Sequence, residues 1–101
     1  MRPSGSLERK FAEALFATNR EAAQLGCYSP EFDAMLKVHG GIKTAERLVV
    51  VGEPQSGLRK LRKIGRLDLS TEAVMLQPEY QSLFSKKLLD AASWNLQQME
   101  A

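Results

Sequence analysis

Apolar residues in this chain recur at three- and four-residue steps, and Gly, Pro and capping Ser residues break the pattern at short intervals. A stripe at that spacing buries one side of a helix, whereas a half-buried strand needs strict alternation. Short helices are marginal alone in water, so a chain cut this way gains stability only by packing its pieces together. The pattern therefore predicts an all-α fold, a compact bundle of five or six short helices. Residues 1–5, rich in Pro and Gly, read as a flexible lead-in, and residues 6–101 as a single all-helical domain.

Ser6 reads as the N-cap of a first helix whose Leu7, Phe11, Ala14, Leu15, Thr18, Ala22 and Leu25 share a stripe, with Gly26 as its stop. Ser29-Pro30-Glu31 is a second start signal: a capping hydroxyl, a proline whose missing N–H costs nothing there, and an acid near the positive helix end. Phe32, Met35, Leu36 and His39 then share a face, and Gly40-Gly41 should stop that helix. Ile42, Ala45 and Val49 continue helical spacing, although Val49-Val50-Val51 would also suit a strand. Helix is favoured for residues 48–51, because a lone strand would find no partner strand in this chain. Gly52-Glu53-Pro54 marks a turn.

Charge is densest between Gly57 and Leu67. Five of the fourteen Lys and Arg residues lie there with no acid among them, while the rest of the chain has nine basic against twelve acidic residues. A net charge of +2 thus conceals one basic segment. Ser56 reads as a cap for a helix that turns Leu58, Leu61 and Ile64 inward and Arg59, Lys60, Arg62 and Lys63 outward. Gly65 should end it. Beyond the turn, Leu69, Ser70 and Val74 are spaced as a hydrophobic staple around an N-cap, and Glu72 in the first turn suits the dipole. Pro78 limits that helix, Tyr80, Leu83 and Phe84 should turn inward, and a last helix from about Ser85 to Glu100 buries Leu88, Leu89, Ala92, Leu96 and Met99.

Three stretches, H-G-G-I-K-T-A-E-R-L at 39–48, G-R-L-D-L-S-T-E-A-V at 65–74 and P-E-Y-Q-S-L-F at 78–84, resemble an uncharacterised bacterial family of small helical proteins of about one hundred residues. The family is also seen as a module of larger proteins, and the resemblance covers nearly the whole chain. What it implies is a fold: the matching residues are caps, turns and core positions, and no activity comes with them.

Catalytic chemistry finds little support in the residues. His39 is the sole histidine and Cys27 the sole cysteine, so no histidine-rich metal site and no internal disulfide is available. A Cys/His nucleophile needs the two side chains in hydrogen-bond reach and a third group to orient them; Cys27 reads instead as a half-buried thiol and His39 as a helix-end residue. Asp33, Asp68, Glu72 and Asp90 are scattered singly, and the glycines spell no phosphate-cradling motif. No apolar run exceeds four residues, far short of the ~20 that span a bilayer. The expectation is a cytoplasmic, non-enzymatic protein with no cofactor and no metal.

Two kinds of contact remain. One is a protein partner or self-association: Trp94, set about a quarter turn off the stripe of Leu89 and Leu96, has the chemistry of an interface anchor and equally that of core-edge filler. The other is nucleic acid, whose phosphates Arg59, Lys60, Arg62, Lys63 and Arg66 would neutralise. Lys86 and Lys87 belong with them as candidates, since cations in the first turn of a helix oppose its dipole and would suit an anion beside Ser85. Base reading is disfavoured. The helix after Gly65 offers no Lys or Arg to a groove, and the pair around Gly40-Gly41, with Lys43, Thr44 and Arg47 outward, puts Glu46 or Arg47 where a helix-turn-helix needs an aliphatic residue. The chain reads as an interaction or regulatory accessory module, with nucleic-acid association as its alternative.

Overall fold

From Pro3 to Gln24 the chain winds as one 22-residue helix, α1. The computed structural model describes residues 3–27, 29–51 and 55–100, with side chains 3–5, 50, 51, 55–57 and 100 left aside. Helix α1 starts ahead of the expected cap, so Ser6 lies inside it. Its other end follows the sequence. Gly26 takes φ 88°, the Cys27 N–H donates to the Ala22 carbonyl at 2.8 Å, and the Gly26 N–H to the Ala23 carbonyl at 3.1 Å. Those two bonds are a Schellman cap, and only glycine adopts the left-handed backbone without strain. Leu25, expected in the stripe, is 44% exposed: it follows the last helical residue, where the stripe no longer sets direction.

Helix α2 (Pro30–Val51) is opened by Ser29, whose Oγ accepts the Phe32 N–H at 3.2 Å. Gly40, at φ 82° and ψ 172°, leaves helical geometry for one residue and the helix resumes at once, so Gly40-Gly41 bends α2 rather than ending it. Residues 48–51 are helical. Gly41 is buried against α1, where an added Cβ would lie 3.0 Å from the Ala12 Cα and 3.1 Å from the Phe11 ring. Its missing side chain lets the two helices approach. Thr44, expected outward, is fully buried, because α1, α4 and α5 all pack on α2 and together cover more than the Ile42–Ala45–Val49 stripe.

The turn expected at residues 52–54 lies outside the described residues. Helix α3 (Gln55–Lys63) begins one residue before Ser56 and ends in a second Schellman cap. Gly65 takes φ 70°, the Arg66 N–H donates to the Leu61 carbonyl at 2.9 Å, and the Gly65 N–H to that of Arg62 at 3.0 Å. Ile64, in that turn, is 40% exposed rather than inward. One 3₁₀ turn (Leu67–Leu69) leads to α4 (Thr71–Met75), which Ser70 caps by accepting the Ala73 N–H at 3.1 Å. The Gln81 side-chain amide closes the other end of α4, donating to the Leu76 carbonyl at 2.7 Å. After a 3₁₀ turn (Gln81–Leu83), α5 (Lys86–Glu100) starts at Ser85, whose Oγ accepts the Leu88 N–H at 3.2 Å.

Five α-helices and no strand occur among the described residues, an all-α bundle. Phe11 sits at its centre, edge-on to Tyr80 (5.3 Å, 65°) and Phe84 (5.1 Å, 69°), within a core that also holds Leu15, Leu36, Val74 and Met75. A second, smaller cluster joins Ala22, Leu61 and Leu69, with Cys27 and Leu67 against it. Ala22 and Leu61 hold the same place in the two Schellman caps, so the cluster seats the end of α3 on the end of α1. Leu69 belongs here while Val74 belongs to the main core. The expected Leu69–Val74 staple is therefore replaced by a longer-range contact that holds α3.

Candidate functional site

Helix α3 builds the most concentrated charge on the molecule. Leu58 and Leu61 are buried, and at 100° per residue Arg59, Lys60, Arg62 and Lys63 fan across roughly 160° of the side opposite Leu61. All four are exposed, and among the described residues none has an ion-pair or hydrogen-bond partner. Lys60, Arg62 and Lys63 fall in the last turn, where they also answer the negative end of the helix dipole. That stabilises α3 with or without a partner.

Arg66, the fifth cation of the segment, is committed inside the molecule. Its Nη2 lies 2.6 Å from Glu21 Oε2 on α1, while Nε and Nη2 donate to the two Asp68 oxygens at 3.0 and 3.1 Å. The hydrogen bonds to Asp68 and then Glu21 raise the guanidinium pKa above its ordinary value, and the hydrogen bond from Arg66 lowers that of Asp68. Arg66 thus clasps the turn after α3 to α1.

The lysines of α5 also separate. Lys86 pairs with Asp90 at 3.3 Å, Ser85 Oγ is occupied as the N-cap, and Lys87 is exposed without a partner among the described residues. Lys86, Lys87 and Ser85 therefore do not converge on an anion site. Trp94 is 61% exposed, which removes the core-filler reading. Ala92, Asn95 and Met99 are the buried residues described on α5, and Trp94 lies roughly 130° from their mean direction rather than a quarter turn away. Exposed Lys87, Asp90, Gln97 and Gln98 share its outer face, and α5 packs against α3.

One residue of chemical interest was hidden from sequence reasoning. Glu72, expected in the first turn of α4 to answer its dipole, is 2% exposed, and its carboxylate accepts a hydrogen bond from the Asn95 side-chain amide of α5 at 3.3 Å. Burial raises its pKa above the ordinary glutamate value, opposed by its own backbone N–H and by Asn95. The signal lay in context: residues 71, 72, 74 and 75 are all buried, so a five-residue helix between apolar Leu67, Leu69 and Leu76 has little outer side to offer. The Thr44 hydroxyl is buried without a hydrogen-bond partner. Cys27 and His39 are each half-buried, no group of three or more His, Cys, Asp or Glu is placed to hold a metal ion among the described residues, and no described helix is long and apolar enough to cross a membrane.

Comparison with protein-family models, with curated proteins and with solved structures finds no match to this chain.

Proposed function

We propose that this chain is a non-enzymatic interaction module, an accessory to a partner rather than a catalyst, and that α3 is its docking helix. One observation carries the reading: Arg59, Lys60, Arg62 and Lys63 are exposed and unpaired on one short helix, whereas Lys10, Arg66 and Lys86 are each held by a carboxylate. Concentrated like charge with no internal answer favours a polyanionic partner surface. Retention on immobilised heparin tests it. The parent should elute at clearly higher salt than a variant with all four residues replaced by Gln, and equal elution would overturn the role of α3.

A protein contact through Trp94, self-association included, is the second reading, favoured by an indole left mostly in water. Sedimentation at rising concentration separates the two: a parent that associates and a Trp94→Ala variant that stays monomeric would favour it.

A further inference from the structure

We propose that the partner of α3 is a single strand of nucleic acid, whose phosphates lie on Arg59, Lys60, Arg62 and Lys63 and one of whose bases stacks on Trp94. The proposal rests on the reading of α3 as a docking helix and adds the chemistry of what docks.

Charge complementarity comes first. Every exposed side chain described on α3 is Lys or Arg, and its two apolar side chains, Leu58 and Leu61, are turned into the protein. An acidic protein surface would need an apolar or aromatic anchor in a desolvated centre, because lysines at an interface rim contribute little. Among the described residues the outer face of α3 supplies no such anchor, Ile64 lying in the turn beyond it. A phosphate backbone needs only the cations, and its gain comes from released counterions. The same face lacks a described Asn or Gln to read adenine edges, and its Lys and Arg side chains are assigned here to phosphates.

Trp94 distinguishes a single strand from a duplex. Phe11, Tyr80 and Phe84 are buried in the core, whereas the indole is 61% exposed on the outer side of the helix against which α3 packs. The axes of packed helices lie about 8–10 Å apart and their outer faces farther still, so a strand several nucleotides long is what reaches from the α3 cations to Trp94. Duplex bases keep their faces stacked on one another; those of a single strand are free to stack on an aromatic ring beside a basic track. Exposed Lys87 lies on the same face of α5 as Trp94 and adds a cation to that face.

Trp94 is the chain's one tryptophan and serves as its own reporter. Labelled 15-nucleotide DNA and RNA strands of mixed sequence, the matching duplex and polyglutamate are titrated with the full chain at low salt, following anisotropy and indole fluorescence. Single strands should bind several-fold tighter than the duplex and quench Trp94, with log affinity falling against log salt at a slope of about 3 for four phosphates. Trp94→Ala should weaken strand binding about tenfold, and the fourfold Gln variant should abolish it while keeping the parent's circular dichroism. Equal affinity for duplex, or unchanged indole fluorescence on binding, overturns the single-strand proposal and leaves α3 as a docking helix. Binding of polyglutamate without binding of any oligonucleotide does the same. No binding of any polyanion, or full binding by the fourfold variant, overturns both.

Discussion

Glu72 and the outer face of α3 both hold charge that no opposite charge answers among the described residues, yet they sit in opposite media. The α3 cations stand in water, which solvates each of them and screens their repulsion. Glu72 has lost that water: its carboxylate lies between α4 and α5 with the Asn95 amide as its side-chain partner. Outside, unanswered charge costs little and stays ready for a partner. Inside, it penalises the ionised fold and favours proton uptake. The same chemical property is thus a binding resource in one place and a stability cost in the other, and burial decides which.

The largest expected effect probes what holds α3 against the body. If Leu69 seats α3 on α1 through Leu61 and Ala22, Leu69→Ala should cost roughly 2–4 kcal/mol in chemical denaturation, the usual range for an emptied leucine site. A midpoint near the parental one would show that the second cluster does not anchor the basic helix.

Next comes the interior charge. Asn95→Ala should cost about 1–3 kcal/mol by leaving the buried Glu72 side chain without its Asn95 partner. Its pH dependence carries a definite sign. The native pKa of Glu72 lies above the unfolded value, so between the two the folded state holds a proton that the unfolded state lacks, and stability falls as pH rises through that window. Below the ordinary glutamate range Glu72 is neutral in both states and contributes no slope. Replacing it by Gln should remove the fall, so the variant should gain on the parent as pH rises and keep that gain above the native pKa. Parallel stability curves for parent and Glu72→Gln would place the carboxylate in water.

Ser70→Ala should cost about 1 kcal/mol by orphaning the Ala73 N–H at the start of α4. This cap joins the two regions, since it fixes the helix that carries Glu72 directly after the turn that leaves α3. Smallest of all should be any single Gln replacement among the α3 cations, expected to change stability by at most about 0.5 kcal/mol through the lost dipole interaction, at the low end because the sites are exposed. A large loss of stability there would mean that the cations hold the fold, and the contrast with Glu72 would fail.

Much of the architecture was legible in the chain because helix ends are local chemistry. Gly26 and Gly65 end α1 and α3 in left-handed conformations, and Ser29, Ser70 and Ser85 accept the N–H groups three residues ahead. The basic face of α3 was equally legible, since a nine-residue amphipathic helix has one apolar side to bury and its other side follows.

Periodicity does not say how many neighbours will cover a helix. It marks a stripe, while packing sets the stripe's width, so Thr44 and Glu72 went inside under several helices while Leu25 and Ile64, just past their helix ends, stayed out. Contacts distant in sequence were beyond its reach altogether. Arg66 looked like a fifth companion to the four α3 cations until Glu21, 45 residues away, proved to be its partner. Trp94 showed its face only once the buried side of α5 was known. The sequence by itself determined the caps at Ser29, Ser70 and Ser85, the stops at Gly26 and Gly65 and which side of α3 is charged, because those depend on residues within one turn. Only the tertiary structure decided which charges keep their water, because solvation depends on what lies across the gap.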